Sequence, residues 1–380
     1  MKKALVFLLC FFLLPMGGCW DMAEINERTF VLAMGIDKAD EEELCKYIFH
    51  CASPSGESSD VTSNQMSYVN IVVTAPALAP AISEMIRSCD HNVSFEHLQV
   101  LALGGRYAKE SDLHDLDSLF RIASVRRKCS VVIADSELEK LLTERGGDDS
   151  AEKIRQLVAQ YYSDSLRTAG DFSLQELFSR RKSELSFYLP LVNIISSSDL
   201  GAAMPGSASS ENTEPIFIVN GVCAFDSGRY SGCLGIPELE TMRLLGNRQT
   251  QGMIASAKNG KRELHYQIIS SRCRCSCSVK SGVPEFEIEL KMECMLLEHG
   301  DSFGESAAPV IENDVRERIE RLITLSRGRY GAEIAGLETA ARQNCALWFN
   351  ASRKEWKKLY EQAEISVNVQ CTAASDGFIK

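Results

Sequence analysis

The sequence lacks the common motifs of catalysis. G-x-S-x-G, H-E-x-x-H, a Walker A loop, G-x-G-x-x-G and C-x-x-C are all missing. Their absence removes the common signatures of serine hydrolases, zinc peptidases, nucleotide-driven enzymes, dinucleotide oxidoreductases and thioredoxin-like proteins. Positive charge is also scarce. The chain has 41 Lys and Arg against 52 Asp and Glu, a formal net charge of -11. That balance argues against nucleic acid as a partner and against a polybasic grip on anionic lipid. Long apolar runs are missing as well. The run Ala4 to Leu14 falls short of the ~20 residues that a membrane-spanning helix needs.

What is present begins with that same run. Lys2 and Lys3 precede it and Asp21 and Glu24 follow, which is the layout of a secretory leader. The leader does not end in an A-x-A-like site. Met16, Gly17 and Gly18 lead straight into Cys19, a pattern that resembles a bacterial lipobox. Small residues let the extended backbone approach a membrane-surface enzyme closely. The Cys19 thiol is the strong soft nucleophile of the stretch. The expectation is a signal peptide over residues 1–18, cleavage before Cys19, and diacylglycerol on its sulfur. One acyl chain is a marginal anchor at about 0.8 kcal/mol per buried methylene, whereas two or three hold a soluble body firmly.

Of the 14 cysteines, Cys10 lies in the leader and Cys19 is the lipid site, which leaves 12 in the mature body. An even count in an exported chain is compatible with disulfides. Several of these cysteines stand where Val or Ile is expected on strand faces, and free Cys packs as a small hydrophobe. The pattern is read as mainly thiols.

Periodicity divides the rest. Residues 19–195 interleave strands and helices: "TFVLAMGIDK" and "CKYIFHCA" as a hairpin, "YVNIVVTA", a helix at "LAPAISEMIRSC" with Leu78, Ile82, Met85 and Ile86 on its apolar side, "FEHLQVLALGG", a helix at "DLHDLDSLFRIAS", and "CSVVIADS". Residues 196–214 are small and polar and read as a linker. From 215 to 380, "IFIVNGVCAFDSGRYSGCLG" reads as two strands around a turn. "CRCSCSVK" and "EFEIELKMECML" alternate cleanly, with Phe286, Ile288, Leu290, Met292 and Cys294 on one face, as half-buried antiparallel strands do. Helices with Val315, Ile319, Leu322 and Ile323 on one stripe follow, and "EISVNVQC" closes the chain. The fold class is therefore α+β: a mixed α/β N-terminal region, then a C-terminal antiparallel sheet with packed helices.

Three clusters merit weighing as sites. Cys273, Cys275 and Cys277 alternate along a strand, which sets their sulfurs ~6.5–7 Å apart, too far for one tetrahedral ion. Core packing is the better reading. Cys89, His91 and His97 read as structural. Trp348 and Trp356, eight apart, fit core packing better than an aromatic ligand cage. No metal, cofactor or catalytic residue is expected.

The order of segments resembles the Ger(x)C family of spore germination lipoproteins. "GCWDMAEINERTFVLAMGID" is similar to the family's opening. "SFEHLQVLALGGRYAKE" with "LFRIASVRRKCSVVIAD", "NGVCAFDSGRYSGCLGIPELETMRLLGN", and "LWFNASRKEWKKLYEQAEISVNVQCTAASDGFI" are similar to its later segments. Departures lie at Ala123 to Val125, at Ala332, and in the cysteine load. The resemblance implies a noncatalytic lipoprotein subunit of a nutrient-germinant receptor. It would lie on the outer face of the spore inner membrane, beside a multi-pass subunit and a transporter-like subunit. The competing reading is the solute-binding lipoprotein of an ABC transporter, which requires two lobes of regular βα alternation and a hinge crossed more than once. Consecutive antiparallel strands in the second region argue against it. A lipid-anchored cell-wall hydrolase lacks its catalytic residues.

Overall fold

The computed structural model describes residues 28–41, 43–54, 66–122, 125–143, 150–162, 172–196, 215–246, 253–259, 262–298, 307–330 and 336–374. The N-terminal run, Met16, Gly17, Gly18 and Cys19 lie outside them, as does the polar stretch 197–214.

The first sheet is mixed and has nine strands. β1 (Arg28–Lys38), β2 (Cys45–Pro54) and β3 (Met66–Ala75) form an antiparallel meander. After α1 (Leu78–Arg87), the short β4 (Asn92–Ser94) and then β5 (Val100–Gly104) pair with β1 in parallel. α2 (Gly105–Glu110) and α3 (Asp117–Arg121) lead to β6 (Ser130–Ala134), parallel to β5. α4 (Leu138–Thr143), α5 (Ser150–Tyr162) and α6 (Leu174–Lys182) lead to β7 (Phe187–Ser196), parallel to β6. β8 (Pro215–Asp226) and β9 (Arg229–Leu234) complete the order β3-β2-β1-β5-β6-β7-β8-β9.

The central strands are apolar on both faces because both faces are covered. On one face Val100, Ala102, Val132 and Val192 pack with Leu141 and Leu142 of α4 and Ile154 of α5. On the other, Leu101, Leu103, Val131 and Ile133 pack with Met85 of α1, Tyr107 of α2 and Leu177 of α6. Ile86 is half exposed, at 48%, so the apolar stripe of α1 is narrower than its spacing suggests. The helix expected over residues 112–124 is broken. Leu113 takes a left-handed φ of 60°, and a single 3-10 turn, His114–Leu116, precedes the short α3.

Two family-like segments gain a physical reason here. Asp37, at the end of "MGID", accepts hydrogen bonds from its neighbour Lys38 N at 2.9 Å and from Tyr107 N in the first turn of α2 at 3.0 Å. A Cβ on Gly104 would stand 2.0 Å from the Asp37 carboxyl carbon. The glycine clears the space in which the aspartate caps the helix.

The second sheet has the order β10-β11-β12-β13. α7 (Ile236–Leu245) leads to β10 (Ile254–Asn259), β11 (Arg262–Lys280) and β12 (Val283–Glu298), all antiparallel. Phe286, Ile288, Leu290, Met292 and Cys294 are buried, and so are Cys273 and Cys277, while Cys275 is half-buried. The hairpin turns at Ser281 and Gly282, both with positive φ (50° and 85°), as two-residue loops between twisted strands require. On the outer face Arg274 stands across from Glu289 and Lys280 pairs with Glu285 at 2.6 Å, whereas Arg272 stands across from Lys291. α8 (Ala307–Leu325) lays Ile311, Val315, Ile319 and Leu322 into the same core. α9 (Leu337–Asn344), α10 (Ala346–Ser352) and α11 (Trp356–Gln362) follow.

Two arrangements differ from the reading of the sequence. First, β8 and β9 hydrogen-bond into the first sheet, with Phe187 opposite Phe225 and Ile195 opposite Ile216. The polar stretch after β7 thus joins neighbouring antiparallel strands. Composition marks where the chain is polar, not which open strand edge the next segment meets. Second, β13 (Glu364–Ala374) runs parallel to β12, Glu285 opposite Glu364 through Met295 opposite Ala374. The intervening helices return the chain to the start of the sheet, as a parallel connection requires.

Cys223 and Cys233 lie directly opposite on β8 and β9, with Cα atoms 4.0 Å apart, and form a disulfide. The other ten cysteines among the described residues form no disulfide. Burial pushes Cys51, Cys129 and Cys277 up to about 12, far from the thiolate form that reacts. Alkylation of the native chain at neutral pH is therefore expected to spare these three. Denaturation without reductant should then release all ten thiols and leave Cys223 and Cys233 unlabelled, as peptide mass mapping would read directly. A second bridge among the strand cysteines would contradict the arrangement.

Candidate functional site

Where the first sheet meets the C-terminal helices, a cleft of about 580 Å³ opens. One wall is the turn between α6 and β7 (Lys182 to Ser186) together with the β8–β9 turn (Asp226, Ser227); the other comes from α9, α10, the 3-10 turn Arg353–Glu355 and α11. The two walls are tied across the gap. Arg353 donates to the Ser183 carbonyl at 2.6 Å, and Lys357 reaches Asp226 at 2.9 Å. Nearby, Tyr330 donates to the Cys233 carbonyl at 3.0 Å, with its ring in the space that a side chain on Gly232 would fill.

The local sequence explains the lining. Lys182 and Glu184 sit in the turn that ends α6, where Glu184 takes a positive φ of 53°. α9 buries Leu337, Glu338, Ala340 and Ala341 together, so its carboxylate lies on the inner face. Glu338 is 4% exposed. Burial raises its proton affinity, and the nearby Arg180, Arg342 and Arg353 only partly offset that. Its Oε1 has no hydrogen-bond partner among the described residues; Arg342 comes no closer than 3.9 Å, beyond hydrogen-bond range. Trp356 stands edge-on to Phe349, with centroids 5.0 Å apart, and stacks near Tyr360 at 6.2 Å. Its buried Nε1–H also lacks an acceptor among the described residues.

A smaller cleft of about 420 Å³ lies between α7, β10 and α8. Its Arg318 is already engaged by Asp314 at 2.8 Å and by the Ser256 carbonyl.

The residues singled out from the sequence fall as follows. The lipobox and Cys19 lie outside the described residues. Cys273, Cys275 and Cys277 are core-side residues of β11. His91 and His97 are exposed, His97 edge-on to Phe30 at 5.0 Å. Among the described residues no cluster of His, Cys, Asp and Glu is placed to hold a metal ion. No helix among them is long and apolar enough to cross a membrane. Trp348 and Trp356 are both partly buried against the core, and Trp356 also lines the cleft. Sequence reading missed Glu338, since "GLETAARQN" looks like an ordinary polar helix.

A nine-stranded mixed sheet joined to a four-stranded sheet that carries its own helices defines an α+β protein of two sheets. The solved structure described as "Crystal Structure of the GerBC protein" has this fold: TM-score 0.56 at 14% identity, covering 91% of this chain and 98% of that one. Residues 21–194 match the family described as "Spore germination protein N-terminal domain", and residues 220–377 match "Spore germination B3/ GerAC like, C-terminal". The chain belongs to this GerAC-like family of spore germination proteins. Among curated relatives from Bacillus subtilis (strain 168), "Spore germination protein YndF" is 22% identical, covering 98% of this chain and 96% of that protein. "Spore germination protein B3" is 20% identical, covering 97% of each. "Spore germination protein A3" is 23% identical over 77% of this chain and 74% of that protein.

Proposed function

We propose that the chain is a lipid-anchored, noncatalytic subunit of a spore nutrient-germinant receptor. Residues 1–18 are the leader and Cys19 carries the lipid. The body lies on the outer face of the spore inner membrane, beside two integral-membrane subunits, one multi-pass and one transporter-like. The observation that carries this reading is the family match over both halves of the chain, 21–194 and 220–377, behind a leader that ends in Met16-Gly17-Gly18-Cys19. The sheet order also argues against the solute-binding alternative. In the second sheet β10, β11 and β12 are consecutive antiparallel strands and only β13 joins in parallel, which is not the regular βα alternation of a second lobe.

Deletion of the gene tests the role. Each subunit positions the others, so loss of this one should abolish or weaken germination by the cognate nutrient. Release triggered directly by calcium-dipicolinate bypasses the receptor and should be spared. Normal germination of the deletion strain with every nutrient, in a background without paralogues, would rule the reading out. Equal loss of both responses would point instead to a general defect in spore assembly.

A further inference from the structure

We infer that Cys277 and Cys345 are a thiol pair that closes into a second disulfide when a small-molecule disulfide oxidises the chain. Cys277 is buried near the end of β11. Cys345 is half-buried and is the single residue between α9 and α10. Three contacts hold the two together. The Asn344 side chain accepts from the Cys277 N–H at 3.0 Å. The Cys345 thiol donates to the Cys277 carbonyl at 3.3 Å. The two thiols are also in hydrogen-bond contact with each other. The backbone of Cys345 is itself anchored: its N–H donates to Ala341 O at 2.8 Å, and its carbonyl accepts from Phe349 N at 2.9 Å. Both sulfurs are thus held in place before any reaction, which favours the intramolecular step.

The other thiols lack this arrangement. Cys273, Cys275 and Cys277 alternate along one strand, so successive members stand ~6.5–7 Å apart, at the upper limit for a bridge. Cys294 and Cys371 also touch, but along a diagonal: Cys371 lies opposite Met292, and Cys294 opposite Ala373. Diagonal positions on neighbouring strands are ~7–8 Å apart, outside the usual range for a bridge. Cys51 gives its thiol to the Phe49 carbonyl at 3.7 Å. In the pair at 277 and 345 the partners come from different elements, and neither is tied to the spacing of one strand.

The reaction balances as an exchange. Cys345, the more exposed of the two, attacks the S–S bond of the oxidant as a thiolate, forms a mixed disulfide and expels one small thiolate. Cys277 then gives up its proton, attacks the Cys345 sulfur and expels the second. Two electrons pass from the protein sulfurs to the oxidant, whose two thiolates take up the two protons. The new bond fixes the α9–α10 junction to β11.

The inference goes beyond the proposed receptor role and does not depend on it. The full chain, purified in detergent without oxidant, is incubated with glutathione disulfide, quenched in acid, alkylated under denaturing conditions and mapped by mass spectrometry. A cross-linked peptide joining Cys277 to Cys345 should appear beside the Cys223–Cys233 bridge. Cys277→Ala should stop at the mixed disulfide, with one glutathione on Cys345. Cys345→Ser should leave Cys277 a thiol. On oxidation the thermal midpoint of the parent chain should rise by roughly 5 °C, because a bridge that closes a long loop constrains the unfolded chain. The midpoint of Cys345→Ser should not move. That change is nearly isosteric and half-buried, so it reports even if Cys277→Ala fails to fold. Glutathione retained on Cys345 of the parent, no reaction at either residue, a bridge from either to a third cysteine, or a bridge that fails to raise the midpoint would overturn the inference.

Discussion

The Gly221→Ala chain is expected to lose roughly 3–5 kcal/mol of folding stability, from backbone strain and overpacking together. Gly221 sits in β8 where the register with β7 slips: Leu191 faces Gly221 but Val192 faces Val219, so Asn220 is the extra residue of a bulge. Its φ is 135°, a conformation that L side chains rarely adopt. A Cβ there would also stand 1.9 Å from the Leu234 carbonyl oxygen and 3.1 Å from Gly235 Cα. Both obstacles are backbone, at the end of β9 and the cap of α7, so neither can swing aside as a flexible side chain would. A comparison separates strain from collision. Gly282 also has a positive φ, 85°, but a Cβ there meets nothing within 4 Å. Gly282→Ala should cost only about 1 kcal/mol. Urea unfolding of the two variants, expressed without the leader, reads the difference. Equal midpoints would mean that the collision at Gly221 is relieved by backbone movement.

The Cys19→Ala chain is expected to lose its lipid anchor outright. Metabolic labelling with a fatty-acid analogue should mark the parent chain and leave the variant unlabelled. The body should move from the membrane fraction to the soluble fraction, or remain with an uncleaved leader. The effect is all-or-none because the candidate alternatives to an acyl anchor are weak. The net charge of -11 does not favour anionic lipid. No helix among the described residues is long and apolar enough to span. Each lost acyl chain removes about 0.8 kcal/mol per methylene. Nutrient germination should fall as in the deletion strain, since an unanchored body loses its high effective concentration at the complex. Label retained on Cys19→Ala would refute the anchor.

Features set by residues close in sequence were readable in advance. The alternation in β11 and β12 put Phe286, Ile288, Leu290, Met292 and Cys294 on the buried face, where they are found, because period-2 patterning follows directly from the pleat. The stripe Val315, Ile319, Leu322 and Ile323 of α8 is equally local. What failed to show depends on distant partners. The membership of β8 and β9 in the first sheet is decided by the open edge of β7. The Cys223–Cys233 bridge needs the register of that hairpin, including the shift between Ala224 and Phe225. The parallel course of β13 depends on how the helices after β12 return the chain. Glu338 carries no local mark of burial, since only the approach of α6 and the β8–β9 turn encloses it. Trp356 was weighed as a core residue or part of a ligand cage, and its place is shared between core and cleft.

The position of β1 has a geometric consequence for the whole body. Arg28 begins β1 nine residues after Cys19, and a chain of that length spans at most ~30 Å. β1 is an inner strand, between β2 and β5, so a lipid on Cys19 would pull on the middle of the sheet and not on a loose edge. β5, β6 and β7 point the same way as β1, so their starts lie at the same end of the sheet as Arg28. Phe187, the first residue of β7, follows directly on the Lys182 to Ser186 turn and lies opposite Phe225, next to Asp226. The first-sheet wall of the cleft thus stands at the same end of the strands as the start of β1, the end that a lipid on Cys19 would hold. If Cys19 carries a lipid, that end of the strands would be held toward the bilayer surface, while the opposite ends would face away from it.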